Sequence, residues 1–120
     1  MEFKLIVAGG RDFNDAFAVE TKLYDLANNE LNDKNVSIVS GMARGADALG
    51  YAFAKKSGVQ CYEFYADWNK YGKRAGFIRN EEMGKFSDGL LAFWDGQSKG
   101  TKHMIDYMTR LGKPVWVCNY

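Results

Sequence analysis

Proline, histidine and cysteine are nearly missing from this chain: one, one and two among 120 residues. A single His103 and two well-separated cysteines, Cys61 and Cys118, have none of the spacings that build a metal site. An isolated cysteine pair also argues against a disulfide scaffold and fits a reducing compartment. Neither sign of charge dominates: 16 basic and 15 acidic residues give a formal net charge of +1. Such a balance exerts no long-range pull toward nucleic acid or membranes, so any anion binding must be local. No apolar run is long enough to span a bilayer, and the stretch Met1 to Arg11 is too short for a signal peptide. A cytoplasmic protein with no membrane partner is expected. Repeats, low-complexity tracts and linkers are absent as well, so residues 1–120 read as one domain. What is present is a 47% hydrophobic composition, enough to bury a real core.

The most informative stretch is Val36 to Asp47, Val-Ser-Ile-Val-Ser-Gly-Met-Ala-Arg-Gly-Ala-Asp. Val36 to Val39 reads as a short buried strand, Ser40 to Gly45 as a Gly-rich turn, and Ala46 to Lys56 as an Ala-rich helix. A strand that passes through glycines into a helix N-terminus leaves unpaired backbone N–H groups aimed at one spot, where the helix dipole adds positive potential. Glycine allows the backbone to come close to a ligand. The turn therefore suits a phosphate, and Arg44 adds a forked donor.

Along the rest of the chain, strands and helices alternate. Phe3 to Ala8 is a buried strand ending in the second glycine turn, Gly9-Gly10-Arg11-Asp12. A helix follows from a cap at Asn14 to about Leu31, with Ala16, Val19, Leu23 and Leu26 on one inward stripe. The Ala-rich helix buries Leu49 and Phe53 and stops at Ser57-Gly58. Val59 to Tyr65 is a third strand, and Ala66 to Lys73 a long loop. Arg74 to Lys85 forms a helix and Gly89 to Trp94 a fourth strand. After Asp95 to Thr101, a last helix turns Met104, Ile105, Met108 and Leu111 inward. Strand five is Val115 to Cys118. The pattern predicts a three-layer α/β fold with a mostly parallel five-stranded sheet of order 3-2-1-4-5. The turns after strands one to four would then share the carboxyl edge, with a ligand-binding switch point between strands one and four. Cys61 and Cys118 would lie near opposite edges, too far apart to bond.

Taken together the turns are similar to those of the SLOG superfamily, the Rossmann-like group that includes DprA (Smf) and the Lonely Guy phosphoribohydrolases. The branch they most resemble is that of the small stand-alone YspA/YpsA-related proteins. The resemblance rests on Gly9-Gly10-Arg11-Asp12-Phe13 and Ser40-Gly41-Met42-Ala43-Arg44-Gly45-Ala46-Asp47. It continues through Ala66-Asp67-Trp68, Tyr71-Gly72-Lys73, Ala75-Gly76 and Arg79-Asn80 with Met83, and closes on Ser98-Lys99-Gly100-Thr101. It implies a Rossmann-like fold, frequent homo-oligomerisation, and binding of nucleotides or nucleotide-derived signals, by enzymes in some members and sensors in others.

Each candidate has a plainer reading beside it. Gly41, Gly45 and Asp47 could merely shape a tight turn, with Asp47 as a first-turn dipole partner. Ser98 could simply cap the last helix, although Lys99, Gly100 and Thr101 make a second anion-facing terminus. Gly96-Gln97-Ser98-Lys99-Gly100 spells the G-x-S-x-G of a nucleophile elbow. His103 lies on the same helix, poorly placed to activate Ser98, and no Asp-then-His order follows. Trp68, Tyr71 and Trp94 could stack a base or fill core and interface. Arg79-Asn80 resembles an Arg near substrate in Lonely Guy enzymes, or else belongs to a solvated helix face beside Glu81 and Glu82. Those enzymes carry a Glu soon after Gly-Thr; here Lys102, His103 and Met104 follow Thr101.

The expected function is therefore binding of a nucleotide or nucleotide derivative as a sensing module. Phosphate would sit among Gly10, Arg11, Gly41, Arg44, Gly45, Gly100 and Thr101, with Ser40, Asp47 and Ser98 as further ligand-binding residues. Ribose or base would contact Asp67, Trp68, Asp95 and Asn80. The alternative is a phosphoribohydrolase that cleaves a nucleoside 5′-monophosphate. Arg79 would then orient substrate, and Asp95 or Asp67 would supply the carboxylate that stabilises a cationic sugar; Asp47 and Asp12 are further substitutes at the same edge. Single-stranded DNA binding, as in DprA, is a third reading, against which the near-neutral charge counts. No resident metal or cofactor is expected, beyond a Mg²⁺ brought by a polyphosphate ligand.

Overall fold

A computed structural model describes all residues, 1–120, as five parallel strands in the order β3-β2-β1-β4-β5. The strands are β1 (Glu2–Gly9), β2 (Asn35–Ser40), β3 (Cys61–Glu63), β4 (Gly89–Trp94) and β5 (Val115–Asn119). Helices α1 (Ala16–Asn28) and α2 (Ala46–Ser57) link the first three strands. A short α3 (Trp68–Tyr71), a 3-10 turn (Gly72–Arg74) and α4 (Ala75–Phe86) lead into β4, and α5 (Lys99–Arg110) into β5. The expected fold class and strand order are both found, and every strand pair is parallel.

Alternation along the central strands explains the layers. Leu5 and Val7 of β1, with Leu91 and Phe93 of β4, bury against Val19, Leu23 and Leu26 of α1 and Phe53 of α2. Their neighbours Ile6, Ala8, Leu90 and Ala92 point the other way, onto Met83 of α4 and Met104 and Met108 of α5. A strand covered on both faces needs apolar side chains at successive positions, which is why β1 and β4 read as continuous apolar runs. The connections change face between β1 and β4, opening the switch-point crevice at their carboxyl ends. Cys61 and Cys118 lie on opposite edge strands and are free thiols.

The differences from sequence expectation are local. Asp15, not Asn14, caps α1, its carboxylate accepting the Ala18 N–H at 3.0 Å. The helix ends at Asn28, where the Asn29 amide turns back onto the Asp25 carbonyl at 2.8 Å and competes with further helical bonding. Leu31 is still buried, but from the turn beyond the helix. Ala16 is exposed, so the inward stripe starts at Val19. Leu111 follows the last turn of α5 and is 43% exposed rather than inward. β3, an edge strand paired with β2 alone, is only three residues long, Cys61–Glu63, rather than Val59 to Tyr65. The loop from Ala66 to Lys73 contains α3, capped by Asp67, whose carboxylate accepts the Lys70 N–H at 3.1 Å.

Gly50 shows how closely α2 is packed on the sheet. A Cβ there would lie 2.7 Å from the Val7 Cβ, an atom fixed to the central strand. On an exposed helix, Gly→Ala would stabilise by about 1 kcal/mol. Here overpacking reverses the sign: Gly50→Ala is expected to destabilise by about 1–3 kcal/mol in denaturant unfolding.

Candidate functional site

The ends of β1, β2 and β4 are followed by turns that surround one cavity of about 650 Å³. That volume lies within the range of about 300–1,000 Å³ usual for small-molecule sites. Its geometry begins with two interlocked glycine turns. The Gly10 carbonyl accepts the N–H of Phe13 at 3.2 Å and the N–H of Ala46 at 3.3 Å, tying the turn after β1 to the first residue of α2. Gly45, which precedes that helix, has φ +79° and ψ −133° and lies so close that a Cβ would meet the Gly10 carbonyl oxygen at 2.1 Å. A side chain at Gly45 is excluded twice, by backbone conformation and by space. Having no side chain, Gly45 gives α2 no side-chain cap; the Ala46 amide is taken by the Gly10 carbonyl, and those of Asp47 and Ala48 remain without a side-chain partner at this edge.

Beneath this turn lies a buried acid. Asp47, 5% exposed, accepts the Ala43 N–H at 3.4 Å. Arg79 reaches across from α4, and its Nη1 donates to the Gly41 carbonyl at 2.9 Å. A Cβ at Gly41 would stand 2.8 Å from Asp47 Oδ2 and 3.0 Å from Arg79 Nε, so glycine lets carboxylate and guanidinium approach across the backbone. Burial pushes the Asp47 carboxyl up to about 6, although Arg79, the Ala43 amide and Arg11 all favour the ionised form. Burial lowers the Arg79 value, opposed by Asp47, yet a guanidinium remains charged at any ordinary pH. Arg79 Nε is buried without an acceptor.

The opposite wall is the start of α5. Ser98 caps it, its Oγ accepting the Thr101 N–H at 3.4 Å and lying 3.0 Å from the Thr101 hydroxyl. Asp95 Oδ1 accepts the N–H groups of Gln97 and Ser98, each at 2.8 Å, and these bonds hold its carboxyl below the usual carboxylate range. Asp95 thus stays ionised at the cavity rim, with Oδ2 outside those two bonds. Trp94 Nε1 donates to the Ser98 carbonyl at 3.1 Å, which places this aromatic in support of the turn. Asn80 donates to the Gly100 carbonyl at 3.2 Å and lies 3.3 Å from His103, joining α4 to α5.

Most of the residues predicted from sequence meet here. Gly10, Arg11, Arg44, Asp47, Trp68 and Asn80 line the cavity, as do Ser98, Gly100, Thr101, Arg79 and Asp95. Ser40 does not: fully buried, it donates to the Asp47 carbonyl at 2.9 Å and accepts the Met42 N–H at 3.1 Å, holding the turn from inside. Gly41 faces a neighbouring recess, and Gly45 acts through its approach to Gly10. Asp67 and Tyr71 border a separate groove beyond α3. Sequence reasoning missed Phe77, Lys73, Gly76 and Tyr120. The Tyr120 hydroxyl donates to Asp12 Oδ1 at 2.9 Å, and its ring packs tilted against Phe13 with centroids 4.7 Å apart, bracing the turn that carries Arg11. Lys73 and Gly76 lie within the quoted motifs, but nothing marks them as cavity-lining; Phe77 and Tyr120 carry no local signal. Ser98, used as a cap and remote from His103's contacts with Asn80, Phe77 and Tyr107, has no base to activate it.

Four cationic side chains, Arg11, Arg44, Lys73 and Arg79, border the cavity with Asp12, Asp47 and Asp95. No three His, Cys, Asp or Glu side chains converge, so a Mg²⁺ here would draw most of its ligands from a bound polyphosphate and water. No helix is long and apolar enough to cross a membrane.

These features define a three-layer Rossmann-like domain with a polar, cation-bordered cavity at the switch point of a parallel sheet. The chain belongs to the YspA, cpYpsA-related SLOG family, whose model matches residues 3–71. That span carries both glycine turns, Arg11, Arg44 and Trp68, while Arg79 and α5 lie beyond it. The chain is 33% identical to the gene 61 protein of Mycobacterium phage D29 over 120 aligned positions, 93% of each chain. Its fold matches that of DNA processing protein A (DprA) from Streptococcus pneumoniae with a TM-score of 0.74 and 18% identity. The match covers 98% of this chain and 50% of that one, so this chain spans half the length of that protein. At that identity the likeness is one of fold.

The buried acid makes stability depend on pH in a stated direction. Because Asp47 is raised from 3.8 to about 6, the folded state holds more protons than the unfolded chain between those values. Its contribution to stability therefore falls as pH rises from about 4 to 6, by an amount on the order of 3 kcal/mol. The unfolding free energy measured across this window should fall less steeply with rising pH for Asp47→Asn than for the parent.

Proposed function

We propose that this chain binds a nucleotide or nucleotide-derived small molecule at the carboxyl edge of its sheet, as a binding or sensing module. The observation that carries the reading is convergence: three arginines from three different segments, together with the starts of α2 and α5, face one cavity. Arg11 comes from the turn after β1, Arg44 from the turn after β2, and Arg79 from α4. Guanidinium forks and helix N-terminal amides share one preferred partner, a phosphate. Trp68, half exposed and with the Arg11 guanidinium 5.9 Å from its ring, offers an aromatic face beside the phosphate positions. Near-neutral net charge favours a small anion over a nucleic-acid strand.

One observation supports a second reading, hydrolysis of a nucleoside 5′-monophosphate. Asp95 is an ionised carboxylate at the rim, opposite Arg79, and would stabilise positive charge at the sugar as the N–C1′ bond breaks. The base would leave with the bonding electron pair and take up a proton. Water would add its oxygen to C1′, leaving ribose 5-phosphate. Asp67, which caps α3 outside the cavity, fits that role less well than Asp95.

Purified protein incubated with a cytosolic small-molecule extract, washed and denatured, should release an intact nucleotide identifiable by mass spectrometry. Arg44→Ala should reduce retention at least tenfold, since a charge-assisted hydrogen bond contributes about 1.5–3 kcal/mol. Free base and ribose 5-phosphate, abolished by Asp95→Asn, would favour the hydrolase. The absence of both retention and turnover would overturn the nucleotide reading.

A further inference from the structure

The main cavity does not end at the arginines. On the far side of Arg11, Arg44 and Arg79, a second recess of about 410 Å³ opens over the turn after β2. Arg11, Ala43, Arg44, Trp68 and Arg79 border both spaces, so they form a shared wall between them. The recess differs from the main cavity in chemistry. The main cavity has Asp12, Asp47 and Asp95 on its border, whereas the recess has no acidic residue. Its remaining lining is Gly41, Met42, Tyr65 and Ala66, so three cations stand beside two aromatics and a thioether.

Three further observations indicate that this recess is built to take a ligand group. Tyr65 is 65% exposed, yet its hydroxyl is held by Glu63, which fixes the ring at the edge of the recess. Met42 has φ +58°, a left-handed conformation that is costly for any residue with a side chain and clusters at functional sites. Finally, Arg79 is anchored through Nη1 to the carbonyl of Gly41, itself part of the recess lining, which holds this guanidinium in the shared wall.

We infer that the ligand of this site carries two nucleoside units joined through a phosphate bridge. The bridge would lie on Arg11, Arg44 and Arg79, with one nucleoside in the main cavity and the other in the recess against Tyr65 and Trp68. This inference rests on the nucleotide reading given above and extends it. A mononucleotide would fill only one side of the arginine wall. It would leave the Tyr65 ring and the acid-free recess without a partner, whereas a base stacks on such a face whatever its identity. The same chemistry arises from two sources, a dinucleoside diphosphate with a 5′–5′ pyrophosphate or a 3′–5′ dinucleotide with a single phosphodiester.

Calorimetric titration with defined probes separates the outcomes. The probes are the four symmetrical 5′–5′ dinucleoside diphosphates of adenosine, guanosine, cytidine and uridine, the four matching 3′–5′ dinucleotides, the four 5′-monophosphates, and a 20-nucleotide mixed-sequence DNA strand. The expected result is that at least one dinucleotide of either linkage binds tenfold or more tightly than its own monophosphate. Tyr65→Ala should remove that advantage and leave monophosphate affinity unchanged; the exposure of Tyr65 keeps this variant folded. Whichever linkage gives the larger advantage identifies the source. Equal binding of mono- and dinucleotide, both weakened by Arg44→Ala, would overturn the inference and leave the nucleotide reading intact. Tight, strongly salt-dependent binding of the DNA strand alone would overturn it in favour of a nucleic-acid site. Binding of none of the probes would overturn it as well.

Discussion

The site depends first on one backbone-to-backbone approach. The Gly9-Gly10 turn and the Gly45-Ala46 start of α2 meet at a distance that no side chain would allow, joined by the Ala46 N–H on the Gly10 carbonyl. Gly9 contributes too, since a Cβ there would lie 2.3 Å from the Phe93 carbonyl and 2.9 Å from the Ala46 Cβ. The contact sets how deeply the N-terminus of α2 enters the switch point. It also places Arg11 and Arg44, from different turns, on the same wall. Without it the fold would still have a parallel sheet, because β1 and β4 are buried by their own apolar faces.

Electrostatic design follows from that packing. Asp47 sits under the turn with its carboxyl raised by burial, and Arg79 is pinned to the Gly41 carbonyl close by. Asp47 moderates the cationic character of the cavity floor and helps keep an arginine in a partly buried place. Asp95, by contrast, is held ionised by two amides at the rim. Two carboxyl groups at one edge are therefore shifted in opposite directions from the ordinary carboxylate value. A phosphate arriving among the arginines would meet an ionised Asp95 at the rim and an Asp47 that is readily protonated below.

The fold and much of the site were legible in the chain itself. Strong alternation of apolar strands with glycine-punctuated turns and helices gave the strand order, and the order brings the turns to one edge whatever their side chains. The place of Arg44 and Gly10 at the cavity could be read because each sits in a glycine turn between a strand and a helix. Asp67 and Ser40 were harder: a polar residue at a strand or loop end serves a ligand or its own backbone equally well, and here both serve backbone. The four-residue α3 escaped notice because so short a helix has no periodicity to read. Tyr120 and Phe77 were invisible for another reason. Tyr120 acts on Asp12 from 108 positions away, and Phe77 borders the cavity only because α4 crosses the sheet end there.

The account turns on phosphate binding where α2, α5 and the arginines converge. An amide-resolved NMR titration with pyrophosphate tests that claim most directly, because it needs neither the identity of the base nor turnover. The account predicts that the amides of residues 43–48 and 99–101 shift together along one saturating curve. Shifts confined to exposed lysines such as Lys55 and Lys102, or no saturable shift at all, would contradict it.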